Sequence, residues 1–190
     1  MTRPRSDNNW VKGIADDGVV TLGDPRLKAP TAAVTAADAA DLLGSLVTRL
    51  RSLNGAGLAA PQIGASVRAA VVEVRRTDVF PDRPETGLIQ MVDPVVVDRS
   101  AETTLDWEGC FSVPGYLGRV PRADRVTVRY TTETGQHTTR EFTGYPARVV
   151  QHEIDHLDGF VYLDRMPDMT ALTTAQNYLE HHRPAPAPGR

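Results

Sequence analysis

The pentad His152-Glu153-Ile154-Asp155-His156 constrains this chain more than any other stretch of its sequence. In a helix, residues i and i+4 lie on one face about 6 Å apart, so two imidazoles can bind one metal ion while the glutamate reaches a water molecule beside it. The same pattern also occurs on solvated helices that bind nothing. Here the two histidines share a face with Val149, and residues 147–158 have helical apolar spacing before Gly159. We therefore predict a helix that binds a metal ion.

A tetrahedral metal ion with one position open for water needs a third protein ligand from elsewhere in the chain. Tyr162 occupies the place where a metzincin pattern requires a third histidine. Glu180 is one remaining candidate, but it lies beside a polar, proline-rich tail. Cys110, the single cysteine, is the other; it cannot form an internal disulfide, so it is a ligand, a reactive thiol or a small buried hydrophobe.

Helical and strand patterns along the chain predict an α+β fold with helices at both ends and strands between them. Thr35 and Asp38 form a capping box ahead of a helix over residues 36–53. Pro94 indicates a bulge or an edge in its strand. The strands are expected at residues 67–74, 88–97, 126–131 and 138–142, the last two forming a hairpin, and a short third helix at residues 171–182.

Composition excludes several classes of function. The chain has 21 Lys+Arg against 24 Asp+Glu, a net charge of −3, which argues against a surface that neutralises nucleic-acid phosphates. No stretch approaches the roughly 18 consecutive apolar residues of a membrane span. Residues 1–10 lack the apolar centre of a signal peptide. We therefore expect a soluble cytoplasmic protein with no direct nucleic-acid site and no membrane contact.

Three segments together resemble a known family. In order and separation, they are similar to the three signature segments of the peptide deformylases: residues 55–64 (GAGLAAPQIG), 108–112 (EGCFS) and 151–157 (QHEIDHL). The resemblance covers roughly residues 18–180. The length of 190 residues predicts one domain over residues 1–190, and the polar first residues and proline-rich last ones predict flexible ends at about 1–12 and 183–190. The resemblance implies that antiparallel or mixed β-sheets pack around the central HExxH helix.

The resemblance also implies a metal centre and a reaction. Its ligands are Cys110, His152 and His156. The expected ion is ferrous iron, with zinc, nickel and cobalt as alternatives, since a thiolate and two imidazoles also suit zinc. The implied reaction removes the N-formyl group from the first methionine of N-formyl-methionyl peptides and nascent chains and releases formate.

Further roles follow from the same resemblance. Glu153 acts as general base and then general acid. The Gln62 side-chain amide and the backbone N–H of Phe111 stabilise the oxyanion. The residues expected to bind the substrate are Gly57, Gly109 and Val149. Independently of the resemblance, Glu108, Arg122 and Asp155 are candidates to orient the ligands, since ligating imidazoles usually donate their other N–H to an acceptor. Without the resemblance, turn chemistry explains the two glycines equally well, a core position explains Val149, and structural charges explain the last three.

The chain departs from the family pattern in three places. Phe111 replaces the usual leucine, which leaves a backbone donor unaffected. Leu117 stands where many relatives have an arginine near the substrate entrance, so the sequence does not indicate which residues bind the substrate beyond its first methionine. The C-terminal end is not a basic helix, so only a transient ribosome contact is expected. Two other hypotheses remain: an endopeptidase that uses Glu180 as third ligand, and a homologue that binds peptide N-termini without turnover.

Overall fold

The computed structural model describes residues 11–16, 18–76 and 83–183. The predicted flexible ends therefore lie mostly outside the described residues. Of the predicted N-terminal flexible end, residues 11 and 12 are described, and Val11 packs against the apolar cluster around Leu117. None of the described helices is both long enough and apolar enough to span a membrane.

The described residues form two antiparallel sheets and three α-helices. The strands are β1 (Gly57–Ala59), β2 (Ala69–Val72), β3 (Ile89–Arg99), β4 (Thr103–Cys110), β5 (Val113–Ala123), β6 (Arg125–Thr131), β7 (His137–Thr143) and β8 (Leu172–Thr174). The helices are α1 (Ala36–Ser52), α2 (Gly144–Leu157) and the short α3 (Ala175–Asn177), which continues as a π-helical turn over Tyr178–His182. One sheet has the order β1-β2-β3-β6-β7 and the other β4-β5-β8. These elements confirm the predicted α+β class.

Helix α1 begins as its sequence predicts. The Thr35 hydroxyl oxygen accepts a hydrogen bond from the Asp38 backbone N–H at 3.2 Å, which satisfies one of the unpaired donors of the first turn. The helix buries Leu43, Leu46 and Leu50 at helical spacing against the larger sheet. It ends before Asn54, whose φ of 55° reverses the chain.

The larger sheet separates the two long helices. All residues of β2 are buried because the strand is covered on both faces. Ala69 and Val71 pack in the cluster with α1, whereas Ala70 and Val72 pack in the cluster with α2. The predicted features of this sheet are confirmed: β3 has a register shift between Val92 and Val95, on either side of Pro94, and β6 and β7 form an antiparallel hairpin.

Helix α2 lies between the two sheets. Its apolar residues Ala147, Val150, Ile154 and Leu157 pack against the larger sheet. On its other side, the Gln151 side chain pairs with the backbone of Ala123 in β5, donating to its carbonyl at 2.9 Å and accepting from its N–H at 3.2 Å. The smaller sheet is therefore docked onto α2 by polar contacts.

Two parts of the secondary-structure prediction are wrong. Residues 171–182 do not form one helix, because Leu172–Thr174 pairs with Tyr116–Gly118 of β5 as strand β8 before α3 begins. The long strands β4 and β5 were not predicted. The half of β4 that precedes Trp107 is exposed, so it lacks the apolar alternation that reveals a strand.

We expect Leu46→Ala to lower the free energy of unfolding by about 2–5 kcal/mol, because it opens a cavity between α1 and the sheet. Leu46 is fully buried, whereas Leu22 is 50% exposed, so Leu22→Ala is the matched control. Urea unfolding of both variants measures the difference. Equal effects of the two substitutions would show that α1 contributes little to the core.

Candidate metal centre and active site

Three buried side chains from two elements converge on one point. Cys110 stands at the end of β4, where the register shifts after Gly109, and His152 and His156 lie one turn apart on α2. One ligand atom from each of the three lies within 4.8 Å of the others, and the Cys110 Sγ is 3.2 Å from the His156 Nε2. The structure thus brings together the ligands predicted from the sequence. Glu180 is not among them, because its side chain is 61% exposed.

The electrostatics of this cluster favour a bound cation. Burial raises the pKa of the Cys110 thiol, but the neighbouring His156 and His152 outweigh it and hold that pKa well below its usual range. Burial lowers the pKa of His152, but hydrogen bonds to Cys110 and Glu108 raise it well above its ordinary value, so a metal ion bound to this imidazole would displace a proton. A thiolate and two imidazoles within this spacing form a donor set that fits zinc or ferrous iron.

Glu108 orients one of the imidazoles. Its Oε2 accepts a hydrogen bond from the His152 Nδ1 at 2.9 Å, which leaves Nε2 for the metal. Arg122 donates to both oxygens of the same carboxylate, at 2.9 and 3.0 Å. Asp155 contacts Arg122 at 2.5 Å and Arg165 at 2.7 Å, so it acts on Arg122 and not on an imidazole. The three predicted orienting residues therefore form one buried network.

Glu153 lies beside the ligand cluster with an incompletely satisfied carboxylate. It is 3% exposed, and its Oε2 has no hydrogen-bond partner among the described residues. Burial raises the pKa of this carboxyl to about 7, with the histidines lowering it and the Cys110 and Glu108 charges raising it. Gly57 packs directly against it, since a Cβ at Gly57 would lie 2.8 Å from the Glu153 Cδ.

Gln62 is held in a single orientation. It lies in a 3₁₀ helix, Ala60–Ile63. Its Oε1 accepts from the Ala59 N–H at 2.8 Å, so its Nε2 points towards the centre. This nitrogen donates to the Cys110 Sγ at 3.3 Å and to the Ser112 Oγ at 3.4 Å. The amide is thus a preorganised donor beside the metal ligands.

The side chain of Phe111 anchors the backbone next to Cys110. It packs in the apolar cluster of α1, and a Cβ at Gly55 would lie 2.7 Å from the Phe111 Cε2. The bulky ring therefore fits only because residue 55 is a glycine. The role of the Phe111 N–H stays a prediction.

Gly57 and Gly109 belong to edge strands. Gly57 pairs with Val72 in β1, and Gly109 pairs with Leu117 in β4. Because β1 and β4 each end the strand order of their sheet, the other side of each strand has no ladder partner within the described residues. Val149 is 7% exposed and packs in the cluster between α2 and the larger sheet.

The sequence did not indicate two features of the site's surroundings. Arg148 is buried and contacts Glu108. The one signal in the sequence is its position four residues before His152, which places both on the same face of α2. Leu117 is 5% exposed and packs with Ala175 and Tyr178, so it lies beneath α3 and not at an open entrance.

Comparisons with known proteins agree with this geometry. The polypeptide deformylase family model matches residues 17–171. Peptide deformylase 2 of Nostoc sp. is 36% identical over 165 residues, which cover 85% of this chain and 92% of that protein.

Solved structures show the same fold. The Met-Ala-Ser-bound crystal structure of a class I type b peptide deformylase from Acinetobacter baumannii has a TM-score of 0.75 at 38% identity, covering 78% of this chain and 96% of that one. The peptide deformylase from Thermotoga maritima has a TM-score of 0.70 at 32% identity, covering 79% and 97%. The chain therefore belongs to the polypeptide deformylase family, hydrolases that remove the N-formyl group from newly synthesised polypeptides.

Proposed function

We propose that this chain deformylates N-formyl-methionyl peptides and nascent chains at the centre formed by Cys110, His152, His156 and Glu153. The observation that carries the proposal is the position of a buried carboxyl, with a pKa of about 7, beside three converging metal donors. A group with such a pKa can both accept and return a proton at neutral pH. That is what hydrolysis of an amide requires.

Cys110, His152 and His156 would hold one divalent ion, leaving one position for water. Such an ion, when bound, supplies nucleophilic water by lowering its pKa from 15.7 to about 7. Ferrous iron is our expectation because it is typical of the family; zinc, nickel and cobalt suit the same donors.

The protein's own groups then move the proton and stabilise the developing charge. Glu153 accepts the proton of the attacking water and donates it to the departing amine. The carbonyl oxygen of the formyl group becomes an oxyanion, and the Gln62 Nε2 and the Phe111 N–H are the proposed donors to it. Gln62 suits this role because its Oε1 is already bonded to Ala59 and cannot turn inwards. Each such donor contributes typically about 3–4 kcal/mol.

We propose that the substrate binds as an extended strand between β1 and β4, with Gly57 and Gly109 contacting its backbone. Both strands are edges, which leaves hydrogen-bonding groups for an added chain. Val149 would line the pocket for the methionine side chain, since it lies one turn before Glu153 on α2. The Acinetobacter structure contains Met-Ala-Ser, the peptide that deformylation of formyl-Met-Ala-Ser leaves.

A substrate made on the ribosome fits a cytoplasmic enzyme, and we propose that location. A transient ribosome contact stays a prediction, and the C-terminal end lacks the basic helix that would favour one there.

We expect Cys110→Ala to lose the bound metal ion and Glu180→Ala to keep it. The reason is that Cys110 is in the buried cluster, whereas Glu180 is exposed. Metal content after anaerobic purification, together with formate release from formyl-Met-Ala-Ser, measures both effects. The reverse result would favour the endopeptidase hypothesis.

We expect Glu153→Gln to lower the turnover number for formyl-Met-Ala-Ser by about 10²–10⁴-fold, since the amide cannot carry the proton. Metal content should stay at the wild-type level. Glu133→Gln, in the exposed turn between β6 and β7, is the matched control. Full activity of Glu153→Gln would overturn the assigned role, and wild-type protein that binds the peptide without releasing formate would point to a binding module.

We expect Gly57→Ala to reduce the turnover number by about 100-fold, because displacing a catalytic group by about 1 Å has an effect of this size. The added methyl group would overlap the Glu153 carboxylate. Gly87→Ala is the control, since no atom lies within 4 Å of its Cβ position. Unchanged turnover with intact metal content would show that Glu153 does not need its present position.

A further inference from the structure

Arg148 is a buried cation on α2 that spans the gap between the helix and the smaller sheet. It is 6% exposed. Its Nη2 donates to the Thr104 carbonyl at 2.6 Å, and its Nη1 donates to the Val120 carbonyl at 2.8 Å. The same Nη1 contacts the Glu108 Oε1 at 2.8 Å. One guanidinium therefore joins α2 to β4, β5 and the carboxylate that orients His152.

The contacts of Glu108 are shared between its two oxygens. Arg122 contacts both oxygens, Arg148 contacts Oε1 and His152 contacts Oε2. A carboxylate has about four lone-pair sites, so these contacts use all of them. Without Arg148, Oε1 loses the donor that lies on the helix, and the carboxylate keeps only Arg122 and His152, the side chain that it orients.

The contacts of Glu108 and Cys110 with α2 fix the position of β4 along the helix. Glu108 and Cys110 are two apart on β4, one before and one after the register shift that follows Gly109, and both are buried. Arg148, His152 and His156 follow one another at four-residue intervals on α2, with a rise of about 6 Å each. Glu108 contacts Arg148 and His152, while Cys110 lies beside His152 and His156, so successive buried residues of β4 meet successive turns of α2.

We infer that Arg148 is a positioning residue of the metal centre, which acts through Glu108 to hold His152 in the orientation that binds the ion. This inference rests on the proposed function, because it assumes that Cys110, His152 and His156 are the ligands. Arg148 is not itself a metal ligand; it contacts Glu108. Its effect is on the affinity for the metal and not on the chemistry of the reaction.

The test is a double-mutant cycle read as Co²⁺ affinity. The apo forms of the wild type, Arg148→Met, Glu108→Gln and the double variant are titrated with Co²⁺ against a chelator, and binding is followed by the thiolate-to-cobalt absorption band. We expect Arg148→Met to weaken Co²⁺ binding about 10- to 100-fold, the usual effect of removing a group that orients a ligand. In the Glu108→Gln background the same substitution should change the affinity less than threefold.

Two controls separate positioning from general destabilisation. Gln151→Leu also removes polar contacts between α2 and the smaller sheet, at Ala123, without touching Glu108. We expect its effect on Co²⁺ affinity to be the same in both backgrounds. Arg125→Met replaces a partly exposed arginine that pairs with Asp98 and Glu141 and should leave the affinity unchanged. If Arg148→Met does not fold, Arg148→Gln takes its place in the cycle.

The outcomes are distinct. Wild-type affinity in the Arg148 variant, or the same loss in both backgrounds, would overturn the positioning role. Failure of the wild type to bind Co²⁺ with a thiolate band would overturn the proposed metal centre itself. A loss that disappears in the Glu108→Gln background supports the inference.

Discussion

Helix α2 is buried along almost its whole length although about half of its buried residues are polar, and this burial determines much of the fold. Its buried polar side chains are Arg148, Gln151, His152, Glu153, Asp155 and His156. Removing an ion from water costs several kcal/mol unless it is paired and hydrogen-bonded. The side chains of α2 that pack in the cluster with the larger sheet are apolar, and the polar ones find partners on the other side of the helix. The smaller sheet supplies them through Glu108, Arg122 and the backbone carbonyls of β4 and β5.

The contacts between the polar side chains of α2 and the smaller sheet also explain why Glu153 is the carboxyl able to exchange a proton. Most buried polar groups of α2 are satisfied by the smaller sheet, but the Glu153 Oε2 and the His156 Nδ1 have no hydrogen-bond partner among the described residues. The network contains Glu108 and Asp155 as ionised acids, whereas burial raises the pKa of Glu153 to about 7. One helix thus carries carboxyls whose surroundings separate their pKa values, and the one able to exchange a proton at neutral pH lies next to the ligands.

Local signals in the sequence were sufficient for the elements that they specify. The capping box and leucine spacing predicted α1, and the pentad with its glycine stop predicted most of α2. The sequence pattern does not predict β4 and β5, because some of their buried positions are polar. Glu108 and Arg122 are buried as partners of α2, which only the folded chain shows. Cys110 was identified by resemblance, since nothing local distinguishes a ligand cysteine from a buried one. The prediction of one helix over residues 171–182 is wrong because β8 pairs with β5, a contact between segments far apart in the sequence.

Stability alone does not explain why so many charges are buried here. Replacing buried ion pairs with apolar side chains of similar volume is often neutral or stabilising, so the network of Glu108, Arg122, Arg148 and Asp155 is weak evidence for a more stable fold. Hydrogen bonds, however, fix direction, and apolar contacts do not. Cys110 and the two histidines come from different elements, and a metal centre tolerates little variation in their relative positions. An apolar interface would hold the smaller sheet against α2 but would allow it to slide. The polar network restricts the two elements to one register, and that register is the one in which the three donors converge.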